Sequence, residues 1–442
     1  MKYQHKFNRF IACTGLFVIV MGWWGCKVDT ILDPNNPSIG GVTQNAQLGE
    51  LQNLVVGAEA GMRIYLGTYL DDVSMIGREY YRFAASDPRV TGDILGKGSA
   101  TLDNNTFYTT NPFAGRYRVV KNMNVLIQAL QNTKADITAD QRRAGIAYAK
   151  TVQAHELLMA LNLEYQNGIR VDVSDPDHLG PFLSYDESLN AIQNLLNDAN
   201  TDLQGNTATL PFTTTLYNNK ASEFSKFNRA LAARVAAYRK DWTTAATALS
   251  QSFLSLTGSL TDGSYYLFST GGGDLLNPVF FPQNTPAAEV RVTQPNWVSE
   301  ATPGDARLSK APKRTSTATQ DGLNSDYDFF VYTTNVAPIP IIRNEELVLL
   351  YAEVKIQQNQ FPDALIALNR IRTAASLPAY TGPVTQPALI TEMLNQRRYS
   401  LFGEGHRWID MRRYNLLNTL PIDRPGDDVW PQFPRPATEV QQ

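Results

Sequence analysis

Cysteine is nearly absent from this 442-residue chain, which holds only Cys13 and Cys26. Cys13 lies inside an N-terminal apolar run of the kind removed on export, so the processed chain can form no disulfide. It must stand on a hydrophobic core, and more than 400 residues with 43% hydrophobic side chains suffice for that. An excess of basic charge is missing too. The 39 Lys and Arg against 42 Asp and Glu give a formal net charge of -3, and no basic stripe interleaves with aromatics, which excludes a nucleic-acid partner. A second long hydrophobic run is also lacking. Beyond Trp24 nothing approaches the roughly 20 apolar residues of a membrane-spanning helix.

Motifs that carry chemistry are equally scarce. His155-Glu156 opens like a zinc-protease helix, but Met159 stands where the second histidine belongs. Residues 92–98 have one residue too few between glycines for a phosphate loop, with Gly98 in place of the magnesium-holding Ser or Thr. Asn324, Asp326 and Asp328 alternate like calcium ligands without the glycine and distal glutamate of an EF-hand. Glu404, His406 and Asp410 are close in sequence, but on a helix start the two carboxylates are better read as ion-pair partners of Arg407, Arg412 and Arg413. No serine or cysteine nucleophile is signalled. The reading is a binding protein with no catalytic residue, metal or cofactor; a glycoside hydrolase, needing only two suitably spaced carboxylates, is the enzymatic alternative.

What is present begins at the N-terminus. Lys2, Lys6 and Arg9 precede an apolar run from Phe10 to Trp24, and Gly25-Cys26 follows. Residues 1–25 read as a signal peptide, with Cys26 as the lipidated first residue of the processed chain. Ordinary signal-peptidase cleavage is the alternative, since Trp23 replaces the usual aliphatic residue. Removal of the signal leaves 36 bases against 42 acids. Residues 26–46, with Asp33-Pro34-Asn35-Asn36-Pro37, read as a tether.

Apolar residues then recur at three- and four-residue steps, as in Tyr117, Val120, Met123, Leu126, Ile127 and Leu130, and in Ile146, Ala149, Val152, Leu157, Ala160 and Leu163. These predict two packed helices from about 113 to 130 and 146 to 163. A second pair is expected at 186–203, with Asp186 as its cap, and at 227–240; a last helical block runs from 344 to 417. Trp242, Ala245 and Leu249 share their spacing with Phe361, Ala364 and Leu368, each set preceded by an alanine nine residues before the aromatic, Ala233 and Ala352. That is the logic of a tetratricopeptide helix pair. Residues 47–256 are thus read as an N-terminal helical region, 257–342 as a loop-rich insertion and candidate ligand region, and 343–442 as a C-terminal helical block with a terminal segment. The stretch from Tyr65 to Tyr108 reads as a second aromatic, loop-rich insertion.

Aromatics crowd both insertions. Exposed rings would stack on the CH-rich faces of sugars while neighbouring polar groups bind the hydroxyls. Asn296-Trp297 and Tyr80-Tyr81-Arg82 are the preferred clusters, with Tyr266 beside them, and buried packing is the competing role for each ring.

Three motifs, NEELVLLYAE at 344–353, ALIALNRIR at 364–372 and RRYSLFGEGHRWIDMRR at 397–413, followed by PQFPRPATEV at 431–440, closely resemble the SusD/RagB family of outer-membrane lipoproteins of Bacteroidetes. The resemblance implies a mainly α, SusD-like fold in which tetratricopeptide-type helix pairs form a scaffold for loop-rich, aromatic-containing insertions, closing on a terminal strand. It further implies a nutrient-binding lipoprotein anchored by lipid to the cell outer membrane and facing outward. Such a protein captures oligosaccharides and delivers them to a SusC-like TonB-dependent transporter; peptides are the alternative cargo. Glu404, His406, Arg407, Trp408 and Asp410 would then be structural, holding helices together.

Overall fold

A computed structural model of the chain describes residues 39–440. The expected signal peptide, Cys26 and the tether as far as residue 38 lie outside the described residues. The chain divides into a unit comprising residues 1–42, of which only 39–42 are described, and a unit from Thr43 onward that contains every element after the first helix.

The helices are α1 (Ile39–Asn45), α2 (Leu48–Arg63), α3 (Leu66–Ile76), α4 (Arg89–Gly92), α5 (Phe107–Asn132), α6 (Ala139–Glu164), α7 (Tyr185–Leu203), α8 (Ala221–Tyr238), α9 (Trp242–Gln251), α10 (Pro295–Ser299), α11 (Asn344–Gln357), α12 (Phe361–Ala374), α13 (Gln386–Ser400), α14 (Arg407–Arg413) and α15 (Ala437–Val440). Four antiparallel ribbons of two strands accompany them: β1 (Tyr80–Ala84) with β5 (Glu289–Thr293), β2 (Ile169–Arg170) with β3 (Phe182–Leu183), β4 (Gly263–Tyr266) with β8 (Ile339–Arg343), and β6 (Lys313–Gln320) with β7 (Leu323–Tyr327). With 51% helix against 10% strand, the fold is mainly α.

The long helices form where periodicity places them, and their caps explain the boundaries. Thr138 opens α6, its hydroxyl accepting from the Gln141 amide while Gln141 accepts from the Thr138 amide. Ser184 does the same for α7 with Glu187. Asp186 is therefore not the cap; it sits in the first turn, where its charge favours the helix N-terminus.

The two helix pairs predicted from spacing are α8–α9 and α11–α12. Their turns match in detail: Lys240 and Asn359 both adopt φ +58°, and Trp242 and Phe361 each begin the second helix. Ala233, Ala245, Ala352 and Ala364 are fully buried, as close helix approach requires. Val348, Leu349, Leu368, Ile371 and Met393 continue this core into α13.

Charged residues of the C-terminal motifs form a network of buried ion pairs across these helices. Glu346 on α11 takes a forked contact from Arg234 on α8 at 2.6–2.7 Å, Glu353 pairs with Arg413 at 2.8 Å, and Asp410 receives Arg397 at 2.6 Å and Arg413 at 2.9 Å. Glu404 pairs with Arg343 at 2.7 Å, not with the arginines that follow it in sequence. Arg412 donates to the carbonyls of Asn162 and Pro431 and lies over the rings of Tyr165 and Trp408. Among the described residues Arg407 has no carboxylate at ion-pair distance, and burial pulls its guanidinium down to about 10. The expected Arg407 and Arg412 pairs are thus corrected: the i+3 and i+8 neighbours of Glu404 point elsewhere once α14 starts at Arg407. His406 is buried against Glu346 at 3.7 Å, and burial lowers its pKa to about 4.

Three further expectations are corrected. Residues 39–45 are helical, because the proline punctuation of the tether ends at Pro37. The stretch from Tyr65 to Tyr108 contains α3, β1 and α4 rather than loop alone. The terminal segment is no strand: Pro431, Pro434 and Pro436 lack ladder donors, and the chain instead docks irregularly, Phe433 donating its amide to the Leu163 carbonyl before α15 forms.

One buried carboxyl makes the fold pH-sensitive. Glu79 accepts the Gly403 amide at 3.1 Å through one oxygen, and the other has no partner. Burial pushes its pKa from 4.5 up to about 7, against the pull of that amide. A raised folded-state pKa means that the group is at ease below about pH 4.5 and costs stability as pH rises through 7. Glu79→Gln should gain on the wild type by roughly 3 kcal/mol between pH 5 and pH 8, read as denaturation midpoints; a gap that stays constant with pH would contradict this origin.

Candidate functional site

The preferred aromatic clusters do not form a platform. Trp297 is 0% exposed, Tyr80 0%, Tyr81 1% and Tyr266 4%. Trp297 stacks on Phe402 at 4.1 Å and leans on Tyr399 at 5.0 Å. The Tyr80 hydroxyl donates to Asp71 at 2.9 Å, that of Tyr81 to Asp423, and that of Tyr266 meets His155 Nε2 at 2.6 Å. Both faces of β1 are covered, so its alternating side chains are buried on either side. Asn296 bonds Glu300 at 3.1 Å along α10. Of the six residues Arg82 lines a cleft open to solvent, and Tyr266 borders another from the interior. A ring with its faces covered offers nothing to a sugar, and these four rings act in packing.

The cleft lies where the end of α2, the start of α3 and the β1–β5 ribbon meet the loop before β5. It holds about 210 Å³ and is lined by Tyr65, Asp71, Arg82, Phe281, Glu289 and Arg291 among others. Through Arg63 it joins a depression of about 150 Å³ bounded by Glu59, Tyr265, Leu267 and Asp274. That depression shares Thr215 and Tyr265 with a third, of about 250 Å³, reaching Tyr217 and Asn218. The three adjoin through these shared residues, and together they are the candidate groove. A fourth pocket, of about 40 Å³, with His155, Asn162 and His406 in its wall, has room for a water or two rather than a ligand.

Tyr65 is the exposed ring of this groove, at 37%. It holds φ +57°, the left-handed region that a bulky residue enters at a cost of about 1–3 kcal/mol. The surroundings enforce it. Arg116 of α5, fully buried, donates to the Met62 carbonyl at 2.9 Å and to the Ile64 carbonyl at 2.6 Å, and is itself held by Glu156 of α6 at 3.0 Å. The Tyr65 ring lies over Gly115, where an added Cβ would stand 3.2 Å from Cδ2. On the other wall, a Cβ at Gly67 would come within 2.8 Å of Pro278, so glycine there lets the loop close on α3.

Each arginine of the groove is paired. Arg63 meets Asp274 at 2.5 Å and the Leu267 carbonyl at 2.7 Å. Arg82 gives Nε and Nη2 to Glu289 at 3.1 and 3.0 Å and approaches Asp71 at 3.4 Å. Arg291 gives its fork to Asp71 at 2.6 and 2.8 Å beneath the Phe281 ring. Burial works against its charge, but Asp71 outweighs it and the guanidinium is held above its ordinary range. Such fixed donors and acceptors around partly exposed rings suit a polyhydroxylated ligand.

The discarded motifs all have structural partners. His155 bonds Tyr266, Glu156 pairs with Arg116, and Asp328 pairs with Arg314. Among the described residues no three His, Cys, Asp or Glu side chains gather as a metal site, and no helix is long and apolar enough to cross a membrane.

Residues 291–437 match the model of the SusD family. Over 149 residues the chain is 29% identical to the SusD-like protein P38 of Formosa agariphila, covering 29% of this chain and 28% of that protein; the match thus spans under a third of that relative's length. The fold superimposes on a SusD superfamily protein from Bacteroides vulgatus with a TM-score of 0.68 and 16% identity, over 89% of this chain and 97% of that one. It also matches surface glycan-binding protein A from Bacteroides thetaiotaomicron, with a TM-score of 0.67 and 13% identity over the same shares. At such identities the structural likeness is one of fold.

Proposed function

We propose, from the premise that this chain is a SusD/RagB family protein, that it captures oligosaccharides at the cell surface in the groove running from Arg82 past Tyr65 to Tyr217. It is a binding protein rather than an enzyme. In this reading Cys26 carries the lipid that anchors it to the outer membrane, the groove faces outward, and a SusC-like TonB-dependent transporter receives the cargo. The observation that carries the proposal is Tyr65: a partly exposed ring, held in a strained backbone conformation by a buried arginine, beside fixed hydrogen-bonding groups. Strain maintained by dedicated contacts is a mark of function. The name of the Bacteroides thetaiotaomicron protein, a surface glycan-binding protein, supports the same reading.

Tyr65→Ala should lower the affinity for a bound oligosaccharide about tenfold or more, since a stacked ring contributes on the order of 1 kcal/mol beyond its buried area. The melting temperature should stay within a degree or two, because alanine inherits the same backbone. Unchanged affinity for a glycan that the wild type binds would remove the groove as the site. Binding of peptides with no binding of glycans would return the protein to peptide capture.

A further inference from the structure

We infer that the groove selects uncharged oligosaccharides, an inference that rests on the glycan-capture reading and narrows its substrate class. Arginine recognises carboxylate or sulfate through its planar fork, and here the forks of Arg291 and Arg82 are occupied from within the protein. Both Asp71 oxygens take the Arg291 fork at 2.6 and 2.8 Å. Glu289 takes the Nε and Nη2 edge of Arg82, and Asp274 draws the charge of Arg63 inward through a single contact at Nη1. An anionic sugar would have to displace a resident carboxylate and leave it unpaired in a partly desolvated cleft, which costs more than a new pair returns. The balance of charge points the same way. Glu59, in the wall of the adjoining depression, has no cation at ion-pair distance among the described residues and instead accepts from Tyr148 at 2.7 Å and from the Thr215 amide and hydroxyl at 3.1 and 2.6 Å. Three arginines face four carboxylates along this wall, so the groove repels anions.

What is left unspent suits hydroxyls. Arg291 Nη1 has no partner, on a side chain only 4% exposed at the cleft floor. It is a single nitrogen with two N–H groups whose fork partners, Nε and Nη2, are already spent on Asp71, so it suits hydroxyl or ring oxygens rather than a bidentate anion. The remaining lone pairs of the paired carboxylates accept from sugar hydroxyls, which can donate, whereas a ligand carboxylate or sulfate cannot.

The test is calorimetric titration of the purified protein with neutral gluco-, manno-, xylo- and galacto-oligosaccharides and with oligogalacturonate, oligoalginate and sulfated galactan fragments, at 20 and 200 mM salt. The expected result is binding of at least one neutral oligosaccharide with little salt dependence, every acidic one being tenfold weaker or more. Glu289→Gln, which releases the Arg82 fork, should raise acidic binding about tenfold. Tighter binding of an acidic oligosaccharide by the wild type, weakening with salt, overturns neutral selection and leaves glycan capture standing. Failure of every oligosaccharide beside a peptide that binds overturns both.

Discussion

Trp297→Ala is expected to cost about 3–5 kcal/mol of folding free energy and to leave the ligand affinity of the folded fraction unchanged. The indole is fully buried between Phe402 and Tyr399, and its Nε1 donates to the Arg398 carbonyl at 3.4 Å. It joins α10 to the end of α13 and to the tight turn at Gly403, where φ is +72° and a Cβ would stand 2.4 Å from the Phe329 ring. Neighbours so confined cannot collapse into the space that the indole leaves, so the upper part of the range applies. The measurements are a denaturant midpoint and a titration on the same sample. A variant of wild-type stability that has lost its ligand would restore Trp297 as a platform and contradict the packing seen here.

Arg116→Met should destabilise by a similar 3–5 kcal/mol, because it strands Glu156 as an uncompensated charge in the interior. It should also weaken ligand binding, which the first variant does not. Without the guanidinium the Met62 and Ile64 carbonyls lose their donor, and the backbone on either side of Tyr65 loses the contacts that fix its left-handed conformation. The double variant Arg116→Met, Glu156→Leu separates the two effects. Replacing a buried pair by apolar groups of similar volume is often near neutral, so most of the stability should return while affinity stays low. Recovery of both together would show that the position of Tyr65 does not depend on Arg116.

The scaffold was legible in the sequence because its signals are local. Val120, Met123, Leu126 and Leu130 repeat at helical steps and are all buried in α5; the Trp242 and Phe361 spacings mark two turns whose backbones coincide at φ +58°. The groove was not legible, because it is assembled from segments some 200 residues apart: β1 pairs with β5, bringing Arg82 opposite Arg291. No residue-level pattern announces that pairing or the strained backbone of Tyr65. Choosing rings that have polar neighbours in sequence misled for a physical reason. Large aromatics gain most from burial, so Trp297, Tyr80 and Tyr81 fill the interior whatever stands beside them in sequence, and only their place in the fold separates them from Tyr65, a ring of the same kind left at the surface. The short strands escaped notice because ribbons of two to eight residues carry too little alternation to read.

The docking of the last described segment bears on the order in which the molecule can assemble. Trp430 and Phe433 clip onto Trp408, Leu163 and Asn167, and Arg78 reaches the carbonyls of Pro421 and Asp428. Contacts between positions about 270 and 350 residues apart close the N-terminal helices only after nearly the whole chain is available. Loops of that length make folding slow, and until the ribbon partner at 289–293 arrives, the Tyr80–Ala84 segment has an unsatisfied edge carrying two tyrosines and a phenylalanine. During synthesis that edge is open to aggregation, and a holding chaperone would be expected to shield it.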